Sequence, residues 1–193
     1  MTLTLTTYDE AETTAFGRRL GALLPGGAVV LLDGDLGAGK TRLAQGVAKG
    51  LGVEGIVTSP TFNLVLEYPL CVTGTGSLGQ RDGAGAPVSS ETGAPAPSLC
   101  PKLLRHFDLY RLDRAEQLED LDYFGLIEET DTVSLVEWGN KFDTCLPLDY
   151  ILVSIMVDGD DPSRRLFELS AEGPRSKELL EQIALIEGAE QNG

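Results

Sequence analysis

Residues 34–45, GDLGAGKTRLAQ, have the types and spacing needed to hold a phosphate group. Gly34, Gly39, Lys40 and Thr41 fit the P-loop (Walker A) pattern, and the apolar run AVVLL lies directly before them. Glycines let consecutive backbone N–H groups turn toward phosphates, because a Cβ atom would block the turn or the approach. The pattern predicts that Lys40 contacts the β- and γ-phosphates and that the Thr41 hydroxyl binds Mg²⁺. The predicted nucleotide-binding residues of this segment are Asp35, Leu36, Gly37, Ala38, Gly39, Lys40, Thr41 and Arg42.

Two acidic residues are candidates for the rest of such a site. A Mg²⁺-nucleotide site needs a carboxylate at the end of a buried strand and a second polar group that orients the attacking water. Glu137 follows the apolar run SLV, so we predict it on the metal side. Asp108, in HFDLYRL, lies on an extended segment and is predicted to orient water or assist the metal. A solvated strand-end acid is the alternative for each, and neighbouring His106 is as compatible with a structural role as with a functional one.

Alternating helices and strands must position these residues. Apolar periodicity and capping signals predict helices from Thr7 or Asp9 up to Pro25, after the glycine-rich loop up to Gly52, from a capping box of Asp113 and Glu116, and over 176–186. Strands are predicted over 28–32, 62–68, 103–110, 133–136, 151–157 and 166–169, with 62–68 paired to 103–110 and the last two paired. These patterns predict a helix as the first element of the fold. The interleaving predicts an α/β fold, a single-domain P-loop NTPase-like three-layer sandwich with a mostly parallel, mixed central sheet.

The segment at residues 71–101 differs in composition from its flanks. It consists mostly of Gly, Ala, Pro, Ser and Thr, and it has too few large apolar groups to offset the entropy of ordering it. We therefore predict a disordered surface insertion at 71–101 within one domain spanning 1–193. The tail from residue 188 is predicted to be frayed.

The overall composition excludes several classes of protein. With 30 acidic and 15 basic residues the net charge is −15, which argues against a broad basic surface for nucleic acid. Three cysteines without a C-x-x-C pair suggest neither a disulfide scaffold nor a zinc site. The N-terminus lacks signal-peptide regions, and no apolar stretch reaches membrane-spanning length. We expect a cytoplasmic protein with no membrane partner, and any link to RNA to be indirect.

Two other P-loop enzymes are alternatives on sequence grounds. Asp122-x-x-Gly125 and Asn140-x-x-Asp143 follow the P-loop in the order of GTPase motifs. The short interval between them argues against a GTPase, because the intervening strand, helix and strand need roughly 30 residues. A small-molecule kinase normally has an arginine-rich lid, whereas Arg81 is the only arginine in 71–101. Nucleotide preference would separate a GTPase from the rest, and stimulation by a small acceptor would favour a kinase.

The order of the short motifs carries a resemblance to a known family. GDLGAGKT is followed by SPTF (59–62), LEY (66–68), HFDLYRL (106–112), VEW (136–138) and LP (146–147), and this series resembles the TsaE (YjeE) family. The resemblance covers nearly the whole chain apart from 71–101 and the tail. It implies a P-loop ATPase, using ATP and Mg²⁺, that supports formation of threonylcarbamoyladenosine at position 37 of tRNAs.

The resemblance also implies roles for individual residues. Lys40 is the phosphate lysine and a catalytic residue, Thr41 and Glu137 are the metal side, and Asp108 is the catalytic acid that activates water. Thr61 is placed in a switch-like segment near the γ-phosphate, and Trp138 beside the nucleotide. Two departures from the family pattern stand out. Arg42 occupies a position where the family commonly has a second Thr, and 71–101 replaces a short hairpin turn.

The partners implied by the resemblance are the TsaD and TsaB proteins. These proteins transfer the threonylcarbamoyl group, so ATP turnover would reset their complex instead of making the modification. The ATPase is then expected to be weak alone, stimulated by its partners, and in contact with tRNA only through the complex.

Overall fold

The computed structural model describes residues 1–70, 100–142 and 146–190, with side chains up to residue 188. The strands are β1 (Thr2–Thr7), β2 (Val29–Asp33), β3 (Val65–Pro69), β4 (Leu103–Asp108), β5 (Thr132–Glu137), β6 (Tyr150–Val157) and β7 (Arg165–Glu172). The helices are α1 (Glu10–Leu23), α2 (Lys40–Gly50), α3 (Gln117–Asp120), α4 (Tyr123–Ile127) and α5 (Pro174–Glu190), with a 3₁₀ turn at Gly139–Lys141. Apart from Cys100 and Pro101, the insertion predicted at 71–101 lies outside the described residues, as does Cys145.

Within the described ranges, the seven strands form one sheet in the order β1-β7-β6-β2-β5-β4-β3. Strands β6, β2, β5 and β4 run parallel, whereas β7, β1 and β3 pair antiparallel at the two sides. The central strands are apolar and buried on both faces, which is the pattern of parallel strands covered by helices. The predicted mixed, mostly parallel sheet and its two hairpins are confirmed.

Helices cover both faces of the sheet. Apolar side chains of α1, α2 and α5 pack on one face, and those of α3 and α4 pack on the other. This arrangement confirms the predicted three-layer α/β sandwich. In the part of the chain that the structure describes, no helix is both long and apolar enough to cross a lipid bilayer.

Helices α1 and α2 pack at unusually short distance because glycines line their contact. A Cβ atom added at Gly21 would lie 2.2 Å from the Val47 carbonyl oxygen, and one added at Gly50 would lie 2.1 Å from that of Arg18. Backbone therefore meets backbone along this interface. The close packing fixes α2, and with it the loop at the start of α2, against the rest of the fold.

Helix α5 is held at its start by an acid from a distant part of the chain. The Asp149 carboxylate accepts hydrogen bonds from the backbone N–H groups of Arg175 (3.0 Å) and Ser176 (2.8 Å). Burial alone would raise the pKa of Asp149, but hydrogen bonds from Ser176 and Arg175 outweigh it and hold that pKa below its usual value. The carboxylate thus satisfies N–H groups that the helix itself leaves unpaired.

The N-terminal prediction was wrong in one respect. The first element is strand β1, not a helix, because the alternating segment TLTLTT pairs antiparallel with β7 at the sheet edge. The helix that follows begins as predicted, since the Asp9 side chain accepts from the Glu12 N–H at 2.8 Å.

Several element boundaries also differ from prediction; strand β4, for example, ends at Asp108 and not at residue 110. Strand β3 begins at Val65 and not at residue 62, because Leu64 adopts a left-handed backbone with φ of 63°. The capping box of Asp113 and Glu116 does not form, because the Gln117 side chain accepts the Asp113 N–H instead. Helix α5 runs from Pro174 to Glu190, past residue 188 where fraying was predicted.

Candidate nucleotide-binding site

The glycine-rich loop leaves the carboxyl end of β2, near the centre of the sheet, and enters α2 at Lys40. Gly34 has φ of 140°, and a Cβ atom there would lie 2.4 Å from the Ile155 carbonyl oxygen. Only glycine fits this turn, because it must both adopt positive φ and pass against β6. Loop residues Gly37 and Gly39 and the first residues of α2 line the adjoining cavity, and the amino end of a helix is a favourable place to bind an anion.

Lys40 is a buried cation in front of this loop. Its Nζ donates hydrogen bonds to the carbonyl oxygens of Gly34 (2.6 Å) and Asp35 (2.9 Å). Nζ also lies 4.0 Å from the centroid of the Trp138 ring, a cation–π distance. Burial lowers the pKa of Lys40, and the negative charges of Glu137 and Asp108 partly oppose that shift.

Glu137 is brought against the start of α2 by its place at the end of β5. Its side chain is 4% exposed, and Thr41 Oγ1 donates to Oε1 at 3.0 Å. His106 Nε2 lies 3.0 Å from the same Oε1. A hydroxyl and a carboxylate oxygen side by side form the hard-oxygen donor set that Mg²⁺ prefers.

Asp108 sits at the end of the neighbouring strand, in register with Glu137. Thr61 Oγ1 donates to Asp108 Oδ2 at 2.5 Å, and Ser59 Oγ donates to the same oxygen at 3.1 Å. The Tyr110 backbone N–H donates to Oδ1 at 3.0 Å. The acid is thus oriented from both sides by the segments that the SPTF and HFDLYRL motifs occupy.

These groups line one cavity of about 280 Å³. Its lining includes most of the residues predicted from sequence: Leu36, Gly37, Gly39, Lys40, Thr41, Arg42, Thr61, Asp108, Glu137 and Trp138. Asp35 and Ala38 lie in the loop but do not line the cavity; their carbonyl oxygens accept from Lys40 and Arg165. Ser59 and Tyr110 also line the cavity but were not predicted from sequence. The position of Ser59, two residues before Thr61, could have indicated that it belongs to the site.

A second cavity of about 300 Å³ adjoins the first across the loop. The two share Gly37, Gly39 and Arg42 as lining residues. Arg42 forms an ion pair with Glu10 at the start of α1. Arg165 also lines this cavity and donates from Nε to the Ala38 carbonyl oxygen at 2.7 Å. No local sequence pattern indicates that Arg165 contacts the glycine-rich loop, because Arg165 lies on β7, far from the loop in sequence.

The charges of the first cavity fit a phosphate chain with a divalent cation. Two nearly buried carboxylates, Asp108 and Glu137, face the ammonium group of Lys40, whereas the other cation of the lining, Arg42, is paired with Glu10. A divalent cation beside Thr41 and Glu137 would balance the excess negative charge. The loop glycines leave room for phosphate oxygens, since a Cβ atom at Gly37 would meet nothing within 4 Å.

The residues of the GTPase-like motifs that the structure describes do not line this site. Asp122 lies between α3 and α4 instead of after a strand, and neither it nor Gly125 lines either cavity. Asn140 lies in the 3₁₀ turn, and Asp143 is outside the described residues. The structure therefore agrees with the spacing argument against a GTPase.

Comparison with known proteins points to one family. A family model described as "Threonylcarbamoyl adenosine biosynthesis protein TsaE" matches residues 7–78 and 87–166. The chain is 34% identical to the Haemophilus influenzae tRNA threonylcarbamoyladenosine biosynthesis protein TsaE over 186 residues, which cover 91% of this chain and 95% of that protein. It is 33% identical to the Bacillus subtilis protein of the same description over 179 residues, or 92% and 91% of the two chains. The crystal structure of Bacillus subtilis YdiB superposes with a TM-score of 0.66 at 29% identity, covering 97% of each chain.

Proposed function

The chain belongs to the TsaE family of threonylcarbamoyladenosine biosynthesis proteins, and on that basis we propose that it is a Mg²⁺-dependent ATPase that works in the cytoplasm. We propose that its ATP turnover is required for threonylcarbamoyladenosine formation at position 37 of tRNAs. The observation that carries this proposal is the convergence of Lys40, Thr41, Glu137 and Asp108 on one cavity beside the loop.

The two adjoining cavities suggest how ATP is held. The phosphates would lie in the first cavity, where Lys40 exchanges its bonds to the Gly34 and Asp35 carbonyls for bonds to the β- and γ-phosphates. The two cavities meet at Gly37, Gly39 and Arg42. A phosphate chain in the first cavity that runs past these residues would place the nucleoside in the second cavity. Trp138, stacked against Lys40, stays beside the phosphates in this arrangement.

Asp108 supports hydrolysis as the chemistry of the site. Its carboxylate orients a water molecule and accepts a proton from it, and the hydroxyls of Thr61 and Ser59 fix the direction of Oδ2. Bound Mg²⁺ would neutralise the charge that develops on the phosphate oxygens. Thr41 and Glu137 would hold this ion. Burial of Asp108 and Glu137 keeps bulk water away from their carboxylates.

We further propose that the protein acts on the TsaD–TsaB complex and does not transfer the threonylcarbamoyl group itself. The acidic net charge of −15 disfavours direct tRNA binding. Leu36 and Phe62, close to the cavity, are 80% and 83% exposed, and such apolar side chains suit contact with a protein partner. ATP turnover would then reset the complex.

The test is the threonylcarbamoyladenosine content of tRNA from cells depleted of this protein. Rescue with wild type, with Lys40→Ala and with Lys49→Ala compares a cavity lysine with an exposed lysine on the same helix. We expect wild type and Lys49→Ala to restore the modification and Lys40→Ala to fail. Persistence of the modification after depletion, or rescue by Lys40→Ala, would contradict the proposal. Titration of purified protein with ATP and GTP, with and without Mg²⁺, tests nucleotide choice separately.

A further inference from the structure

His106 is the only histidine of the chain, and it is fully buried on β4. Among the described residues, its ring has one polar side-chain partner, Glu137, at 3.0 Å between Nε2 and Oε1. The other ring nitrogen, Nδ1, is buried without a hydrogen-bond partner in the same part of the chain. A buried polar ring with a single partner calls for an explanation, because leaving a polar atom unpaired costs free energy.

The unpaired Nδ1 fixes which tautomer the ring adopts. An ionised carboxylate only accepts hydrogen bonds, so the hydrogen atom of the His106–Glu137 bond must reside on Nε2. A hydrogen atom on Nδ1 would be a buried donor without an acceptor. The structure thus favours the Nε2–H tautomer, with the N–H aimed at Glu137.

The geometry around Glu137 shows what this bond can do. Oε1 accepts from both Thr41 Oγ1 and His106 Nε2, each at 3.0 Å. Thr41 is itself on the proposed metal side, so a bound ion would compete with Glu137 for its hydroxyl. His106 is not a proposed metal ligand, and its strand pairs in register with β5, where His106 lies opposite Leu135, so its bond to Oε1 can persist when the ion binds.

We propose that His106 is a positioning residue that holds the Glu137 carboxylate in the orientation required for Mg²⁺ binding. This role rests on the proposed Mg²⁺-dependent ATPase function. Partners that orient metal-binding side chains typically change metal affinity or activity by about 10- to 100-fold when they are removed. We expect a change of that size in the Mg²⁺ dependence of nucleotide binding.

Three variants separate positioning from packing. His106→Phe keeps a buried ring but has no donor, whereas His106→Gln retains an N–H group on a side chain of similar reach. Leu104→Ala removes a fully buried side chain two residues earlier on the same strand face, and so serves as a packing control. Binding of a non-hydrolysable ATP analogue is measured across a Mg²⁺ titration and in EDTA, together with melting temperature.

The expected result is specific to the Mg²⁺ titration. In His106→Phe the Mg²⁺ concentration for half-maximal effect rises about 10- to 100-fold, while analogue binding in EDTA stays at the wild-type level. His106→Gln restores most of the Mg²⁺ response. Leu104→Ala lowers the melting temperature but leaves the Mg²⁺ response unchanged. A wild-type Mg²⁺ response in His106→Phe, or equal losses in EDTA and in Mg²⁺, would overturn the positioning role. No Mg²⁺ response in wild type would overturn the proposed function as well.

A spectroscopic measurement tests the tautomer without nucleotide. Because the chain has one histidine, imidazole ¹⁵N NMR gives a single set of ring signals. We expect a hydrogen on Nε2 and none on Nδ1 in wild type, and a change in the Nε2 signal in Glu137→Gln. A hydrogen on Nδ1 alone would overturn the proposal.

Discussion

Replacing Gly21 by Ala is expected to destabilise the protein, although alanine is the better helix former. The new Cβ atom would lie 2.2 Å from the Val47 carbonyl oxygen and 2.9 Å from its carbonyl carbon. Contacts of this kind are optimal near 3.5 Å, so α1 and α2 must separate by roughly 1 Å. Overpacking typically costs about 1–3 kcal/mol, and two backbones in contact place this site at the upper end. Subtracting a helix-propensity gain of about 1 kcal/mol leaves a net loss of about 2 kcal/mol.

Urea denaturation measures this loss directly. We expect a lower midpoint with an unchanged m-value. The melting temperature should fall by about 4–8 °C, since 1 kcal/mol corresponds to about 2–4 °C in a chain of this size. Gly188→Ala is the matched control, because Gly188 lies on an exposed turn of α5 and its added Cβ would meet nothing within 4 Å. That variant should be neutral or more stable by up to about 1 kcal/mol. Wild-type stability in Gly21→Ala would refute the close-packing argument.

Three further predictions concern single side chains. Asp108→Asn should keep nucleotide binding but lower ATP turnover by about 10²- to 10⁴-fold, as expected for loss of a general base; unchanged steady-state turnover would exclude that role. Arg165→Leu should weaken nucleotide binding about tenfold or more, because a hydrogen bond to a charged group contributes about 1.5–3 kcal/mol; calorimetry showing equal affinity would contradict a role in holding the loop. Asp149→Asn tests the lowered pKa of Asp149. Its folded-state pKa lies below the unfolded value, so the ionised group stabilises the protein above the unfolded pKa, and this contribution is lost as pH falls through the folded pKa. The variant keeps a capping oxygen but loses the negative charge at the start of α5, so it should lose about 0.3–1 kcal/mol near pH 7, and its stability should fall less with acid than that of wild type; parallel curves would contradict the assignment.

Local patterns in the sequence were sufficient for the centre of the fold. Strand β2, the glycine-rich loop and α2 are contiguous, and each has a strong signal in composition or periodicity. The same holds for the acids at the ends of β4 and β5, because a buried apolar run ending in a carboxylate needs no distant information. Their meeting in one cavity follows from the parallel register of these strands.

Contacts between distant segments were not predictable in the same way. Strand β1 alternates Thr and Leu, a local strand signal that the prediction missed, but its partner, β7, lies near the other end of the chain and nothing local indicates that pairing. Arg165 reaches the Ala38 carbonyl from β7, and no spacing rule connects those positions. The orientation of the buried His106 ring likewise depends on Glu137, which lies on the adjacent strand β5 and 31 positions later in the sequence.

The position of β1 in the sheet also sets an order of events during folding. Thr2 pairs with Ser170, so β1, the first described strand, must wait for β7, the last described strand, before it gains a hydrogen-bonded neighbour. Closing so long a loop is entropically costly, whereas α1, β2 and α2 are close in sequence and can pack early. We expect β1 to dock late, after the strands that carry Glu137 and Asp108 are in place. A ribosome-bound chain that ends before β7 would then have an incomplete sheet edge, open to pairing with other chains.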